Sequence, residues 1–263
     1  MNKAPCKIVS WNINSIRSKI DHVLEFLKEH DPDILLLQET KCENHQFPHD
    51  AFAALPYNIS IHGEKSYNGV AIFSKYVIDE VKTDFPGNPA AHQARFIEVT
   101  CMAPIGYSRI MCVYVPNGGE VDSDKFKMKL DFYDALTSYL RSIQSREENV
   151  IIGGDFNVAP FDIDCYDPKA LENTTCATLI EKQKFRTILN YGYHDLYRIH
   201  APKMQEFSWW DYRAGAFQRD NGMRIDMILA NSLGADKLSS FIMDKSYRAK
   251  DKPSDHIPII AIF

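Results

Sequence analysis

The chain has 263 residues, of which 45% are hydrophobic and 25% are charged, the composition of an ordinary globular protein. Its formal net charge is −5, whereas nucleic-acid-binding proteins are typically strongly basic. Nucleic acid is not excluded as a partner, because basic residues can be concentrated on one face and a bound cation can offset local carboxylates. No apolar run reaches the roughly 18–20 residues that cross a bilayer, so we expect no contact with a membrane.

Eight short apolar runs, many of them β-branched or aromatic and bounded by Gly, Pro, Asn or Asp, predict buried strands. In chain order they are KIVSWNI (7–13), DILLLQE (33–39), NGVAIFS (68–74), RFIEVTC (95–101), RIMCVYV (109–115), VIIGGDF (150–156), RIDMILA (224–230) and IPIIAIF (257–263). Apolar residues three or four apart predict three helices, over 15–30, about 125–143 and about 175–191. Because no linker or low-complexity tract interrupts these elements, we expect one domain over 1–263.

The order of the elements also predicts a fold class. Strands and helices do not alternate strictly, and several strands follow one another directly between 70 and 115. This pattern favours an α/β (α+β) fold with mixed or antiparallel sheets, helices on the outside and two sheets face to face.

The cysteines and the N-terminus bear on the cellular compartment. Six cysteines, at positions 6, 42, 101, 112, 165 and 176, form no CxxC pair and no dense disulfide framework. The N-terminal stretch MNKAPCKIVSWNIN has neither a continuous apolar segment nor a small-residue cleavage site, so a signal peptide is not expected. We therefore predict reduced thiols in a cytoplasmic protein.

Polar side chains stand at the ends of several predicted strands. Each one alone is more often a turn former or a helix cap than a functional group. Together they would assemble carboxylates, amides, a phenol and an imidazole, which suit Mg²⁺ or Mn²⁺ and the hydrolysis of a phosphate ester rather than a zinc site. The residues are Asn12, Asn14, Glu39, Tyr114, Asn117, Asp155, Asn157, Asp226, Asp255 and His256.

Asp226 and His256 allow two interpretations. Asp226 lies inside an apolar run and would be costly to bury without a partner. The tripeptide SDH at 254–256 could be read as part of a Ser/His/Asp triad, but no GxSxG elbow occurs, and adjacent residues of an extended segment point to opposite sides. An imidazole of His256 oriented by Asp226 is the better hypothesis.

Eight segments, in this order, resemble the exonuclease III family of abasic-site DNA endonucleases, within the endonuclease/exonuclease/phosphatase superfamily. They are SWNINSIR, DILLLQETKC, NGVAIFSK, VYVPNGG, GGDFNVAP, FSWWDYR, NGMRIDMILA and SDHIPI. The resemblance implies a four-layer sandwich of two packed mixed β-sheets flanked by helices. It also implies a Mg²⁺-dependent DNA-repair phosphodiesterase, with Mn²⁺ as a substitute, that cuts 5′ to abasic sites and leaves a 3′-hydroxyl. A 3′→5′ exonuclease activity and 3′-phosphatase and 3′-phosphodiesterase activities would accompany it.

The same resemblance implies a role for each matched residue at the reaction centre. Asn12 and Glu39 would bind the metal, with Asp255 as a further ligand. Asp155 would handle the proton of the attacking water or of the leaving group, and Asn157 would orient it. The residues that would contact the scissile phosphate are His256, held by Asp226, together with Tyr114 and Asn117.

Further matched residues imply how duplex DNA would be held. Arg17, Lys41 and Tyr67 would contact the DNA backbone without reading its bases. Arg213 would insert into the duplex. A small apolar pocket would accept a flipped-out abasic sugar and exclude an intact base; its residues would be Trp209, Met223 and Ile225. The implied partner is double-stranded DNA with abasic sites or blocked 3′ ends, and the implied oligomeric state is a monomer.

Three alternatives compete with this interpretation. A paralogue specialised for trimming 3′ ends, with weak abasic-site activity, is the nearest of them. A phosphoinositide or sphingomyelin phosphoesterase is disfavoured by QETK and FSWWDYR and by the lack of a membrane-binding apolar loop. A non-catalytic DNA-binding module is disfavoured because every matched catalytic position is filled.

Overall fold

The computed structural model describes residues 5–144 and 147–263, and in this part of the chain twelve strands form two mixed sheets. The strands are β1 (Lys7–Asn12), β2 (Ile34–Gln38), β3 (Asn58–His62), β4 (Val70–Ser74), β5 (Ile78–Lys82), β6 (Phe96–Ala103), β7 (Gly106–Tyr114), β8 (Asn149–Asp155), β9 (Tyr193–Asp195), β10 (Asp226–Asn231), β11 (Ser240–Met243) and β12 (Ile259–Ile262). The α-helices are α1 (Ile20–His30), α2 (His49–Phe52), α3 (Asp124–Ser142), α4 (Pro168–Leu171), α5 (Leu179–Asn190), α6 (Leu196–His200) and α7 (Ser232–Ala235).

Each sheet is built around one central parallel pair. The first sheet has the order β11-β12-β1-β2-β4-β3, and the second has the order β5-β6-β7-β8-β10-β9. β1 runs parallel to β2, and β7 runs parallel to β8, while the other neighbours are antiparallel. The central strands are buried along almost their whole length, as expected for strands covered on both faces.

The sheets pack face to face, and helices cover their outer faces. Apolar side chains of both sheets fill the space between them, among them Ile34, Leu36, Ile110, Ile151 and Ile228. On the outside, α1 packs against the first sheet, and α3 and α5 pack against the second. The predicted sandwich of two packed mixed sheets flanked by helices is therefore confirmed.

Two of the three predicted helices begin later in the structure, whereas α3, predicted over about 125–143, spans Asp124–Ser142. The segment after β1 first forms a 3₁₀ turn, Ile16–Ser18, and α1 begins only at Ile20. The helix predicted from about 175 begins at Leu179, because Thr178 is its N-cap and forms a capping box with Glu181. The strands β3, β5, β9 and β11 were not predicted.

Burial of the cysteines agrees with the sequence prediction, since all six are buried and none is in a disulfide. Among the described helices, none combines the length and the apolar character needed to cross a membrane.

Two consecutive glycines in β8 lie where neighbouring strands approach β8 closely. A Cβ atom at Gly153 would meet Leu36 Cδ1 of the opposite sheet at 2.5 Å, whereas one at Gly154 would lie 1.9 Å from Val113 O of the adjacent strand. The tip of a leucine can rotate away, but a backbone carbonyl in the middle of a sheet cannot. The Gly-Gly pair before Asp155 is therefore a packing requirement of the strand.

We expect Gly154→Ala to lower the free energy of unfolding by about 1–3 kcal/mol, the usual cost of overpacking a core. Gly153→Ala is the matched control, and it should cost less because its neighbour is a mobile side chain. Urea unfolding followed by circular dichroism measures both. A Gly154→Ala midpoint equal to that of the wild type would contradict the close approach of β7 and β8 at this point.

Candidate active site

The polar strand ends converge on one rim of the sandwich. β1 and β2 end at Asn12 and Gln38, and β7 and β8 end at Tyr114 and Asp155. β10 runs antiparallel to β8, so its first residue, Asp226, stands directly opposite Asp155. The two sheets meet here through a hydrogen bond of 3.1 Å from Asn12 Nδ2 to Asp155 Oδ2. The sequence alone left this convergence open.

A cavity of about 330 Å³ opens at this rim. It is lined by Glu39, Tyr114, Asn117, Asp155, Asn157, Thr175, Cys176, Trp209, Met223, Ile225, Asp255 and His256. Ten of these were named from the sequence. Thr175 and Cys176 were not, because their segment carries no motif and reaches the cavity only through the fold.

Several non-glycine residues around the cavity have left-handed backbone conformations. The φ angles are 90° at Ser15, 56° at Glu39, 51° at Lys41, 49° at Asn157 and 75° at Cys176. Such conformations cost of the order of 1–3 kcal/mol each and cluster at functional sites. Surrounding contacts must therefore hold these turns in place.

Asp155 is the buried carboxylate at the centre of the site. Its Oδ1 accepts a hydrogen bond of 2.8 Å from the backbone N–H of Asn157, and its Oδ2 lies 3.7 Å from His256 Nε2. Burial raises the pKa of Asp155, His256 opposes the change, and the nearby carboxylates of Asp226 and Glu39 add to it, which brings the pKa to about 7. A carboxylate with such a pKa can both accept and donate a proton near neutrality.

His256 is held by Asp226, and the structure places the two side chains in direct contact. His256 Nδ1 lies 2.8 Å from Asp226 Oδ2, and both residues are buried. Burial alone would lower the pKa of His256, but Asp226 and Asp155 outweigh it and raise the pKa to about 10. The ring is therefore a cation at neutral pH, and its Nε2–H is directed towards Asp155, at the cavity.

The groups that could hold a cation surround Glu39. Its Oε1 accepts a hydrogen bond of 2.8 Å from Asn12 Nδ2, and its Oε2 lies 2.7 Å from Lys41 Nζ. Among the described residues, Glu39, Asp155 and His256 each present one donor atom within 4.8 Å of the others. With His256 protonated, the carboxylates of Glu39 and Asp155 are left as oxygen donors of the kind that suits Mg²⁺ or Mn²⁺. Asn12 turns its Nδ2 towards both carboxylates, and its Oδ1 accepts from Asn14 N at 3.1 Å, so its role as a metal ligand stays a prediction.

The carboxylate of Asp255 has different hydrogen-bond partners from that of Glu39. Its Oδ2 accepts a hydrogen bond of 3.0 Å from Trp209 Nε1, and its Oδ1 accepts one of 3.2 Å from Asn14 Nδ2. It lies outside the close group of donor atoms. Asp255 lines the cavity, but in this arrangement it braces the apolar wall through Trp209. Its role as a metal ligand stays a prediction.

Two amides and a phenol form the opposite side of the cavity. Asn117 Nδ2 donates to Asn157 Oδ1 at 3.0 Å and to Cys176 Sγ at 3.7 Å, whereas Asn157 Nδ2 donates to Val115 O at 2.9 Å and keeps a second hydrogen. The Arg95 guanidinium stacks over the Tyr114 ring at 4.7 Å. Burial, together with the negative charges nearby, raises the pKa of Tyr114 well above its usual value, so the phenol is a neutral donor.

The apolar wall and the predicted DNA contacts occupy the same rim. Trp209 and Met223 pair as an isolated antiparallel bridge, and both line the cavity beside Ile225. The remaining predicted DNA contacts are on loops at the same edge of the sheets. These loops follow β1 and β2 and precede β4 and β10. They are Arg17, Lys41, Tyr67, which is 71% exposed, and Arg213, which is exposed and paired with Asp211.

Comparison with known proteins gives a consistent result. The profile of the endonuclease/exonuclease/phosphatase family matches residues 9–256. The exodeoxyribonuclease III of Haemophilus influenzae is 31% identical over 98% of this chain and 99% of its own length. The 3′ phosphatase NExo from Neisseria, solved with a product DNA hairpin, superimposes with a TM-score of 0.93 at 37% identity, over 97% of this chain and 98% of that one. An AP endonuclease from Archaeoglobus fulgidus also gives a TM-score of 0.93, at 35% identity over 98% and 99% of the two chains.

Proposed function

The chain belongs to the endonuclease/exonuclease/phosphatase family, and from this premise we propose that it is a Mg²⁺-dependent DNA-repair phosphodiesterase. Its main reaction is cleavage of duplex DNA 5′ to an abasic site, which leaves a 3′-hydroxyl. The same site removes 3′-phosphates and other 3′ blocks and acts as a 3′→5′ exonuclease. Mn²⁺ substitutes for Mg²⁺, and the protein acts as a monomer in the cytoplasm.

One observation carries the proposal: Asp155, with a pKa near neutrality, lies between a protonated imidazole and a carboxylate–amide pair in a cavity with an apolar wall. Asp155 takes the proton of the attacking water or returns one to the leaving oxygen. The N–H groups of His256, Asn157 and Asn117 and the Tyr114 hydroxyl donate to the phosphate oxygens, where negative charge develops in the transition state.

Glu39 and Asn12 are the residues that would hold the divalent cation, with Asp255 as the third candidate. When bound, the cation supplies Lewis-acid stabilisation of the phosphate and of the oxygens that enter and leave. Lys41 lies against the same carboxylate and would move to the DNA backbone when the cation takes its place.

The apolar wall supports the proposed choice of substrate. Trp209, Met223 and Ile225 give the phosphate site an apolar neighbour in a cavity of about 330 Å³. An abasic sugar can turn out of the duplex into such a space at little cost, whereas a paired base must be unstacked and does not fit. Arg17, Lys41 and Tyr67 hold the flanking backbone, and Arg213 enters the duplex at the gap.

A second candidate function follows from the similarity to the Neisseria 3′ phosphatase. In this alternative the chain trims 3′ ends and has weak abasic-site activity. Both candidates use the same phosphate site, so only the preferred substrate separates them.

The test uses three labelled duplexes of one sequence: one with an internal abasic analogue, one with a nick carrying a 3′-phosphate and one intact. Each is incubated with Mg²⁺ or with EDTA. A single Mg²⁺-dependent cut 5′ to the lesion, much faster than degradation of the intact duplex, supports the main proposal. Removal of the 3′-phosphate with the lesion ignored supports the alternative. Cleavage that persists in EDTA overturns the metal requirement, and no reaction with Mg²⁺ or Mn²⁺ overturns both candidates.

A further inference from the structure

We infer that the buried pair Lys129–Glu181, which lies behind the cavity and outside the matched motifs, positions the phosphate-binding side of the site. This inference rests on the proposed function, because positioning has meaning only for the phosphate contacts assigned there. Lys129 is on α3 and Glu181 is in the first turn of α5. Neither side chain has any exposed surface, and the ammonium and the carboxylate are in direct hydrogen-bonded contact.

The ammonium of Lys129 joins two loops that leave neighbouring strands. Its Nζ donates to Asn117 O at 3.0 Å, in the loop after β7, and to Asn157 O at 2.7 Å, in the loop after β8. The side chains of these same two asparagines line the cavity. The loop after β7 also packs on the lysine stem, since a Cβ at Gly118 would lie 3.0 Å from Lys129 Cδ.

The carboxylate of Glu181 joins a third segment to the same point. Its Oε1 accepts a hydrogen bond of 3.0 Å from the backbone N–H of Cys176, and its Oε2 accepts bonds from Thr178 N at 3.1 Å and Thr178 Oγ1 at 2.6 Å. The turn that contains Cys176 forms part of the cavity lining. One ion pair therefore ties three lining segments together.

These segments need an external anchor. Asn157 and Cys176 have φ angles of 49° and 75°, and Gly118 has a φ of 93°, so each loop passes through a left-handed conformation outside any sheet ladder. Both carbonyls lie outside the sheet ladders, that of Asn157 in a buried residue and that of Asn117 in an exposed one, and a charged donor binds them more strongly than a neutral one. The ammonium thus fixes the two backbones from which the phosphate-facing amides extend.

A purely structural role makes a different prediction from a positioning role. Removing one partner of a buried ion pair is strongly destabilising, whereas replacing both by neutral groups of similar volume often leaves stability almost unchanged. The double variant Lys129→Met/Glu181→Gln removes both charges at similar volume. If the pair only stabilises the fold, this variant should regain activity along with stability. If the pair positions the amides, the fold should recover and the activity should not.

The experiment compares steady-state kinetics of the double variant and the wild type on the duplex that the wild type cleaves best, with Mg²⁺. We expect kcat to fall by roughly 10- to 100-fold, the effect of misplacing catalytic groups by about an ångström. KM should change little, because the predicted DNA backbone contacts at Arg17 and Lys41 are untouched. Lys184→Met is the matched control: it removes the exposed pair with Asp134 between the same two helices and should leave kcat unchanged.

A second readout does not depend on activity. The side-chain amide NMR signals of Asn117 and Asn157 in the DNA-free protein should move in the double variant and stay in place in Lys184→Met. Glu181→Gln alone keeps a neutral acceptor for both the Lys129 ammonium and the Cys176 N–H, so the buried lysine is not left without a hydrogen-bond partner. It serves if the double variant does not fold, and it should shift the same signals. Unchanged amide signals with unchanged kcat in a folded variant would overturn the inference, as would a loss of kcat that only matches the unfolded fraction. If the wild type cleaves no duplex, the proposed function fails, whereas the amide signals still decide whether the pair holds these side chains.

Discussion

Asp155→Asn should lower kcat by the 10²- to 10⁴-fold that positioned proton transfer typically contributes, and it should leave the binding of duplex DNA unchanged. The asparagine has the same shape and keeps an oxygen for the Asn157 N–H, so the turn after β8 is preserved. It cannot take up a proton, because an amide has no basic oxygen near neutrality. The loss should therefore appear in turnover and not in affinity.

Single-turnover cleavage with Mg²⁺, together with DNA binding measured in EDTA, separates the two effects. Asp162→Asn is the control, because it makes the same chemical change at an exposed carboxylate on the following segment, paired with Lys182. It should cleave at the wild-type rate. If Asp155→Asn folds normally and turns over at that rate, the proton-transfer role is wrong; if it loses DNA binding, Asp155 holds substrate instead.

Asp226→Asn should lower the pKa of His256 well below its wild-type value of about 10, because the largest of the charges that oppose burial is removed while Asp155 and Asp255 remain. In the wild type, the raised pKa means that the protonated ring stabilises the fold fully below pH 6.5 and that this contribution is lost as the pH rises through about 10. In the variant the ring should lose its proton at a lower pH. The proposed donation from an imidazolium to the phosphate would then be weakened, and kcat should fall by roughly 10²-fold.

NMR titration of His256 in the metal-free protein measures the change in pKa directly, since the wild-type ring should remain protonated at pH 8 and the variant ring should not. The matched comparison is Asp244→Asn, which removes the carboxylate partner of His30, a pair that does not line the cavity, and should leave the His256 titration unchanged. An Asp226→Asn protein in which His256 is still protonated at pH 8 would show that Asp155 and Asp255 suffice to hold the proton on the ring.

The buried strands could be predicted because their residues are apolar on both faces. Runs such as DILLLQE and VIIGGDF have no other stable location than the centre of a covered sheet, and both became central strands. The edge strands β3 and β5 were missed for the converse reason. Their residues are half-exposed, and IDEVK carries charges that resemble a solvated loop. Pairing with a neighbour defines these strands, and a local pattern does not show it.

In the candidate site too, some residues could be predicted from a local sequence pattern and others depend on the tertiary structure. The polar residues predicted from the sequence stand at the ends of apolar runs, so their unusual positions are visible there, and seven of them line one cavity. Cys176 reaches that cavity only because of a left-handed turn, which the sequence does not specify. Lys129 looks like one of several surface lysines on α3, because its partner Glu181 lies 52 positions away. Burial of a charge is decided by the tertiary structure.

The direction of the central strands has a practical consequence for building on this protein. Tyr114 and Asp155 mark one end of β7 and β8, and Gly106 and Asn149 mark the other, about 20 Å away for a strand of seven residues. The tight turn between β6 and β7, at Ala103–Gly106, therefore lies at the end of the sheet that is far from the cavity. A fluorophore, a surface tether or a fused module attached there would stand clear of the path of the duplex, and the protein could be immobilised by that turn with its cavity facing solution.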